Sequence, residues 1–334
     1  MSASPESFRQ ALAQRVLVGD GGMGTALQDY DLALDDFEGH EGCNEVLNVT
    51  RPDVVRAVHE GFLAVGVDAV QSNTFGANLG NLGEYDITDR IYELAESGAR
   101  VAREAVDAYA TPERPRWVLG SMGPGTKLPT LGHAPFSDLR DAYQQCATGL
   151  INGGADVLLV ETSQDLLQTK SAVIGSKRAL RDAGVDLPII THVTIETTGT
   201  MLVGSEIGAA LTALEPLGID MIGLNCATGP TEMSEHLRYL SQHATVPVSC
   251  MPNAGLPQLG PNGAWYPLTP DELADAHDTF TTEFGLSLVG GCCGTTPDHI
   301  RAIAKAVEGV QPRKVPVIEP RMRLSGLEPF ETAA

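Results

Sequence analysis

Short apolar runs alternate along the chain with longer stretches whose apolar residues recur every three to four positions. Arg15-Val16-Leu17-Val18-Gly19 reads as a first strand. Pro52 to Val65 then reads as a helix, with Val55, Val58 and Phe62 on one face. The pair repeats: strand Asp68 to Gln71 with helix Asp89 to Ala108, whose Ile91, Leu94, Val101 and Ala105 point inward, then strand Trp117 to Gly120 with helix Ser137 to Asn152. Strand Asp156 to Val160 precedes helix Leu166 to Ala183, and strand Pro188 to Thr194 precedes helix Ile207 to Leu217. Strand Asp220 to Asn225 leads to helix Glu232 to His243. Strand Pro247 to Met251 leads to a helix that starts after the Thr269-Pro270 capping pair and runs to Phe284. The last strand, Ser287 to Val289, feeds a helix opened by Thr296-Pro297 that ends near Glu308.

Each strand is apolar throughout, as expected when both faces are buried. Eight even strand–helix units in about 300 residues predict a (β/α)8 TIM barrel rather than a doubly wound sheet with a second domain. The barrel is expected to fill residues 1–312. Residues 313–334 read as a C-terminal tail or interdomain linker, because the stretch from Pro312 has four prolines and no period. Met1 to Gln14 is polar and mixed, with no secretory pattern.

Composition changes this picture little. The chain has 334 residues, 43% of them hydrophobic, enough for a large core. Its 36 glycines suit frequent tight turns. A net charge of −21 excludes nucleic acid and anionic membranes as expected partners, since both need basic patches. Six cysteines in so long a chain do not form a disulfide scaffold pattern. No apolar run reaches membrane-spanning length. A cytoplasmic protein is expected.

The chemistry collects at predicted strand ends. Leu288-Val289-Gly290-Gly291-Cys292-Cys293-Gly294-Thr295-Thr296-Pro297 places two adjacent cysteines between a strand and a helix. They can chelate a soft metal, form a vicinal disulfide, or pack as small buried residues. The flanking glycines favour chelation, because they let the backbone bend so that both sulfurs face one point. Gly223-Leu224-Asn225-Cys226 is a second apolar strand ending in a cysteine. Three cysteines with one open position suit a catalytic zinc site. Asp20, Asn73, Glu161 and Asn253 also lie at strand ends. Asp20 and Glu161 are candidates for binding an ammonium group, and the Gly22 and Met23 amides for a carboxylate. Each carboxylate taken singly reads as a cap or an ion-pair partner. Together with the cysteines they fit a zwitterionic amino acid with a soft donor.

Asp20-Gly21-Gly22-Met23-Gly24-Thr25, Gly223-Leu224-Asn225-Cys226 and Gly290-Gly291-Cys292-Cys293-Gly294-Thr295-Thr296-Pro297 together resemble the homocysteine S-methyltransferase family. Gln71-Ser72-Asn73-Thr74-Phe75-Gly76 and Met251-Pro252-Asn253-Ala254-Gly255 add to the match. Within the family, the chain is most similar to the homocysteine modules of cobalamin-dependent methionine synthases. Arg323 to Phe330 resembles the linker from such modules to a folate-binding one. The resemblance implies a zinc barrel that methylates homocysteine to methionine, with methylcobalamin as the external methyl donor. Folate- and cobalamin-binding modules would then follow in the same protein or act as separate chains. It implies zinc on Cys226, Cys292 and Cys293, the homocysteine amine on Asp20 and Glu161, and its carboxylate on amides near Gly22 and Met23. Asn253 matches a residue that takes the fourth metal position when substrate is absent. S-methylmethionine and betaine are the alternative donors. A thiol redox protein and a non-catalytic zinc barrel are the alternatives from other classes.

Other residues are assigned no role. His133 follows strand three and could face the site, whereas His192 lies inside strand five and reads as a core histidine. His299 reads as a surface helix residue. Cys43, Cys146 and Cys250 read as packing. Asp275-Ala276-His277 partly matches a cobalamin-ligating motif, but it lies inside a predicted helix and reads as structural.

Overall fold

The computed structural model describes residues 5–260 and 263–332. Eight strands carry the fold: β1 Leu17–Val18, β2 Ala69–Gln71, β3 Trp117–Met122, β4 Val157–Ser163, β5 Ile189–Val193, β6 Met221–Asn225, β7 Val248–Met251 and β8 Leu288–Val289. They pair in parallel in the order β1-β8-β7-β6-β5-β4-β3-β2. A parallel bridge from Gly19 to Ala69, with Asp68 N–H donating to Val18 O at 2.7 Å, closes the ring. One helix follows each strand: α1 Pro52–Ala64, α2 Ile91–Tyr109, α3 Phe136–Gly153, α4 Leu166–Ala183, α5 Ile207–Leu214, α6 Pro230–His243, α7 Pro270–Glu283 and α8 Pro297–Ala306. This is the expected (β/α)8 barrel. Among the described residues, no helix is long and apolar enough to cross a membrane.

Strand alternation sorts the buried residues into two sets. Leu158, Val160, Ile222, Leu224, Val248 and Cys250 face the helices and join the outer core. Leu17, Ala69, Trp117, Leu119, Val157, Leu159, Ile190, Met221, Met251 and Leu288 fill the barrel interior. Phe8 joins this inner set and meets Trp117 edge-on, ring centroids 5.5 Å apart.

Phe8 comes from a helix, Pro5–Gln14, where the sequence pattern showed only a polar start. It closes the strand-N-terminal end of the barrel, held in part by Arg9 Nε donating to Asp220 at 3.1 Å. The tail also differs from expectation. Arg323–Ser325 and Pro329–Glu331 form an antiparallel hairpin. Ser325 Oγ donates to Ala209 O at 2.8 Å and Glu206 N–H to Leu327 O at 2.8 Å, so the hairpin rests on α5. Short strands of this kind carry too little periodicity to be read from sequence.

Candidate active site

The polar layer of the barrel continues the inward parity of the apolar one. Ser121 follows Trp117 and Leu119, Glu161 follows Val157 and Leu159, and Asn225 follows Met221 and Gly223. Glu161 was expected at a strand end. Instead β4 runs on to Ser163, with a register shift between Val160 and Ser163 and Thr162 in the left-handed region at φ 55°. This bulge holds Glu161 inward. Its Oε1 accepts from Ser121 Oγ at 2.5 Å and its Oε2 from Asn225 Nδ2 at 2.8 Å. Burial, with the charge of Cys293 adding to it, pushes the Glu161 carboxyl up to about 7.

Asp20 is also buried, and burial raises its carboxyl to about 7, with Glu161 adding. Its oxygens accept from Gln71 N–H and Gln71 Nε2, both at 3.0 Å. Gln71 therefore stands between Asp20 and the open space above.

Cys226, Cys292 and Cys293 converge, their sulfurs all within 4.8 Å of one another. They come from β6 and β8, which are not neighbours, since β7 runs between them. The end of β7 joins the two loops: Cys226 N–H donates to Met251 O at 3.2 Å and Cys292 N–H to Pro252 O at 2.9 Å. Cys226 and Ala227 both take positive φ, 58° and 53°, which turns the chain sharply as β6 ends. The glycines before Cys292 serve close approach rather than left-handed bends. A Cβ at Gly291 would lie 2.4 Å from Thr295 Oγ1, and one at Gly22 would lie 2.8 Å from Cys292 O. The β1 and β8 loops interlock there, with Gly22 N–H donating to Thr295 Oγ1 and Thr295 Oγ1 donating to Cys292 O at 2.6 Å.

Cys226 and Cys293 sulfurs are 3.9 Å apart, close to the spacing of about 3.8 Å that two 2.3 Å zinc–sulfur bonds at a tetrahedral angle require. Hydrogen bonds from Cys226 and then Cys292 hold the Cys293 thiol well below its ordinary pKa. Cys226 and Cys292 are pushed up in turn, so the set shares one negative sulfur, and three sulfurs within reach of one point suit a soft cation. Among the described residues, this is the one group of cysteine, histidine and carboxylate side chains arranged to hold a metal.

Beside the sulfurs lies a cavity of about 230 Å³. Gly22, Met23, Gln71, Asn73, Glu45, Glu161 and the three cysteines are among its walls, and no lysine, arginine or histidine is. The Met23 N–H lies in the first turn of the short helix Met23–Leu27, where amides have no intrahelical acceptor.

The family model for homocysteine S-methyltransferases matches residues 17–307. The chain belongs to that family. It is 65% identical over 300 residues to the methionine synthase of Mycobacterium tuberculosis (strain ATCC 25618 / H37Rv), covering 90% of this chain and 25% of that protein. It is 64% identical over 308 residues to the methionine synthase of Mycobacterium leprae (strain TN), covering 91% of this chain and 26% of that one. The chain thus spans about a quarter of the length of these curated relatives. In shape it is similar to the crystal structure of the homocysteine methyltransferase MmuM from Escherichia coli in its metallated form. That likeness has a TM-score of 0.71 at 21% identity over 90% of this chain and 99% of the other, and it shows the shared fold.

For a homocysteine S-methyltransferase family member, the expected residues fall into two groups. Cys226, Cys292, Cys293, Gly22, Met23, Asn73 and Glu161 line one cavity. Asp20 and Asn253 are not among its walls. Asn253 Oδ1 accepts from Cys293 N–H at 3.1 Å, which braces the cysteine loop.

His133 is exposed, its Nδ1 accepting from Leu128 N–H, and it does not line the cavity. His192 is in the core as expected, its Nε2 2.6 Å from Ser249 Oγ. His299 is not a surface residue: it is buried, with Nδ1 2.9 Å from Thr296 Oγ1 and Nε2 2.9 Å from Leu268 O, fastening the start of α8. His277 is buried within α7. Gln71, Ser121, Asn225 and Glu45 were missed. For the first three the signal was present: they continue the period-two inward positions of their strands. Glu45 lies in a short 3-10 turn, Asn44–Val46, with no such pattern.

Proposed function

We propose that this chain is the homocysteine-activating barrel of a cobalamin-dependent methionine synthase. The observation that carries the reading is three thiols converging beside a cavity walled by carboxylates and free amides, with no cationic side chain. That wall suits the ammonium and carboxylate of an amino acid whose side chain ends in sulfur.

Cys226, Cys292 and Cys293 would hold the zinc, leaving one position open toward the cavity. A zinc ion bound there supplies a Lewis acid that lowers the pKa of an incoming thiol. The three cysteine thiolates outweigh its charge by one, so the substrate sulfur stays electron-rich. Glu161, fixed by Ser121 and Asn225, takes the homocysteine ammonium. Asp20 acts from behind Gln71, adding negative charge and holding that side chain. The Met23 amide takes the carboxylate, because the Gly22 N–H is already given to Thr295. Asn73 shapes the wall, its Nδ2 donating to Asn44 O at 2.7 Å and Asn48 Oδ1 at 3.0 Å. Asn253 keeps the Cys293 loop in place. The homocysteine sulfur then attacks the methyl carbon in line: the S–CH3 bond forms as the donor–CH3 bond breaks, and the donor leaves with the bonding electron pair.

The donor reading, methylcobalamin, rests on the motif resemblance to the homocysteine modules of cobalamin-dependent methionine synthases, and the 64–65% identity to two methionine synthases supports that branch of the family. Folate- and cobalamin-binding modules, in the same protein or as separate chains, are the proposed partners. The test is a panel of donors given to the zinc-loaded chain. Slow demethylation of free methylcobalamin that needs both homocysteine and zinc supports the reading. Fast turnover with S-methylmethionine or betaine, and none with methylcobalamin, would move the chain to another branch of the family.

A further inference from the structure

We propose that Glu45 is a specificity-determining residue of this cavity, selecting thiols that carry an ammonium group. The inference rests on the reading of the cavity as a homocysteine site. Three carboxylates reach this part of the barrel, and the structure treats them differently. Asp20 is not on the cavity wall, and Gln71 donates one hydrogen bond to each of its oxygens. Glu161 lines the cavity, with each oxygen already accepting one strong hydrogen bond. Glu45 lines it from a separate element, the turn between β1 and α1, and is only 7% exposed.

Its Oε1 accepts from Gly76 N–H at 2.6 Å. The contact of its Oε2 is with Cys43 Sγ at 3.8 Å, a weak sulfur donor at long range. A carboxylate oxygen can accept two hydrogen bonds, so Oε2 has capacity left. A buried carboxylate with only neutral partners carries a desolvation cost that a cation would relieve. No side chain on the cavity wall supplies that cation. The ligand must bring it. The β2 loop is also cut back for this carboxylate, since a Cβ at Gly76 would lie 2.8 Å from both Glu45 oxygens. Holding Gly76 needs only an acceptor, which a glutamine would supply equally well. The charge is the part that a scaffold role leaves unexplained.

The experiment compares homocysteine with 4-mercaptobutyrate, the same thiol acid without the amine, by calorimetric binding to the zinc-loaded chain. Glu45→Gln keeps the acceptor for Gly76 and removes the charge. We expect homocysteine binding to weaken about tenfold or more, as loss of one charge pair in a buried site implies, with 4-mercaptobutyrate nearly unchanged. Glu45→Asp keeps the charge and should keep most of the preference. Equal weakening of both ligands in Glu45→Gln, or no change in either, overturns the proposal. Glu161→Gln gives a second measurement that needs no change at Glu45. A preference for homocysteine that persists there supports a second carboxylate, and its complete loss assigns the selection to Glu161 alone. Wild-type protein that holds zinc but binds neither thiol overturns the homocysteine reading itself, and the role of Glu45 with it.

Discussion

The lower and upper halves of the barrel interior are built by the same strands and have opposite chemistry. Below lie Leu17, Ala69, Trp117, Leu119, Val157, Leu159 and Ile190, closed off by Phe8. One or two inward positions further along, the same strands carry Gly19, Gln71, Ser121, Glu161 and His192. The lower half is apolar packing of the kind that stabilises a domain. In the upper half, two buried carboxyls are raised to about 7 and three residues take left-handed backbone, Thr162, Cys226 and Ala227. Non-glycine residues in such conformations cost on the order of 1–3 kcal/mol each. The comparison teaches that the lower half supports the upper one. A preorganised polar site is held by a rigid apolar base that has no part in the chemistry.

Breaking one half at a time separates the two roles. The largest effect is expected from Cys226→Ala, which removes one of three sulfurs and should abolish both zinc binding and methyl transfer. The lower half is untouched, so circular dichroism should still show a folded barrel. Elemental analysis decides the matter: full zinc occupancy in this variant removes Cys226 from the ligand set.

Next in size is Trp117→Ala in the lower half. Truncating a fully buried tryptophan costs about 3–5 kcal/mol, and Trp117 is completely buried against Phe8. Urea denaturation should show that loss, while the folded fraction still binds one zinc. A cost under about 1 kcal/mol would mean that the lower half is not the support described here.

The smallest effect is a pH dependence that sharpens the contrast. Asp20 and Glu161 have folded pKa values of about 7, raised from 3.8 and 4.5 mainly by burial. Between those limits these two carboxyls bind more protons in the folded chain than in the unfolded one, so their contribution to stability falls as pH rises through this window. Asp20 contributes no more than about 4 kcal/mol of that decline in the metal-free protein, and the buried His59, His192 and His277, whose pKa values burial lowers, act in the opposite direction. Asp20→Asn should flatten the curve of melting temperature against pH between about 4 and 7. An unchanged slope would show that Asp20 is ionised at no cost in the folded state.

Much of this molecule was legible in the sequence because its signals are local. Helix and strand periods mark the eight units, and Cys292-Cys293 between glycines marks the end of the last strand. The resemblance to the family rests on equally local motifs, and the cysteines and Glu161 named from them do line one cavity. Strand order in the sheet was not local. It sets β6 and β8 on either side of β7, and so it brings Cys226 within reach of a pair 66 residues further along the chain.

Only the tertiary structure could place the carboxylates. A sequence motif says that an acid stands at a strand end, but hydrogen-bond partners from other strands decide where it points. Gln71 turns Asp20 away from the cavity, and the β4 bulge with Ser121 and Asn225 turns Glu161 into it. Glu45 belongs to a turn without periodicity, and burial against the Gly76 loop is what brings it to the wall. The Phe8 plug and the α5 hairpin have the same cause. Short elements of weak intrinsic preference take their form from the surface they cover, and that surface exists only once the barrel has closed.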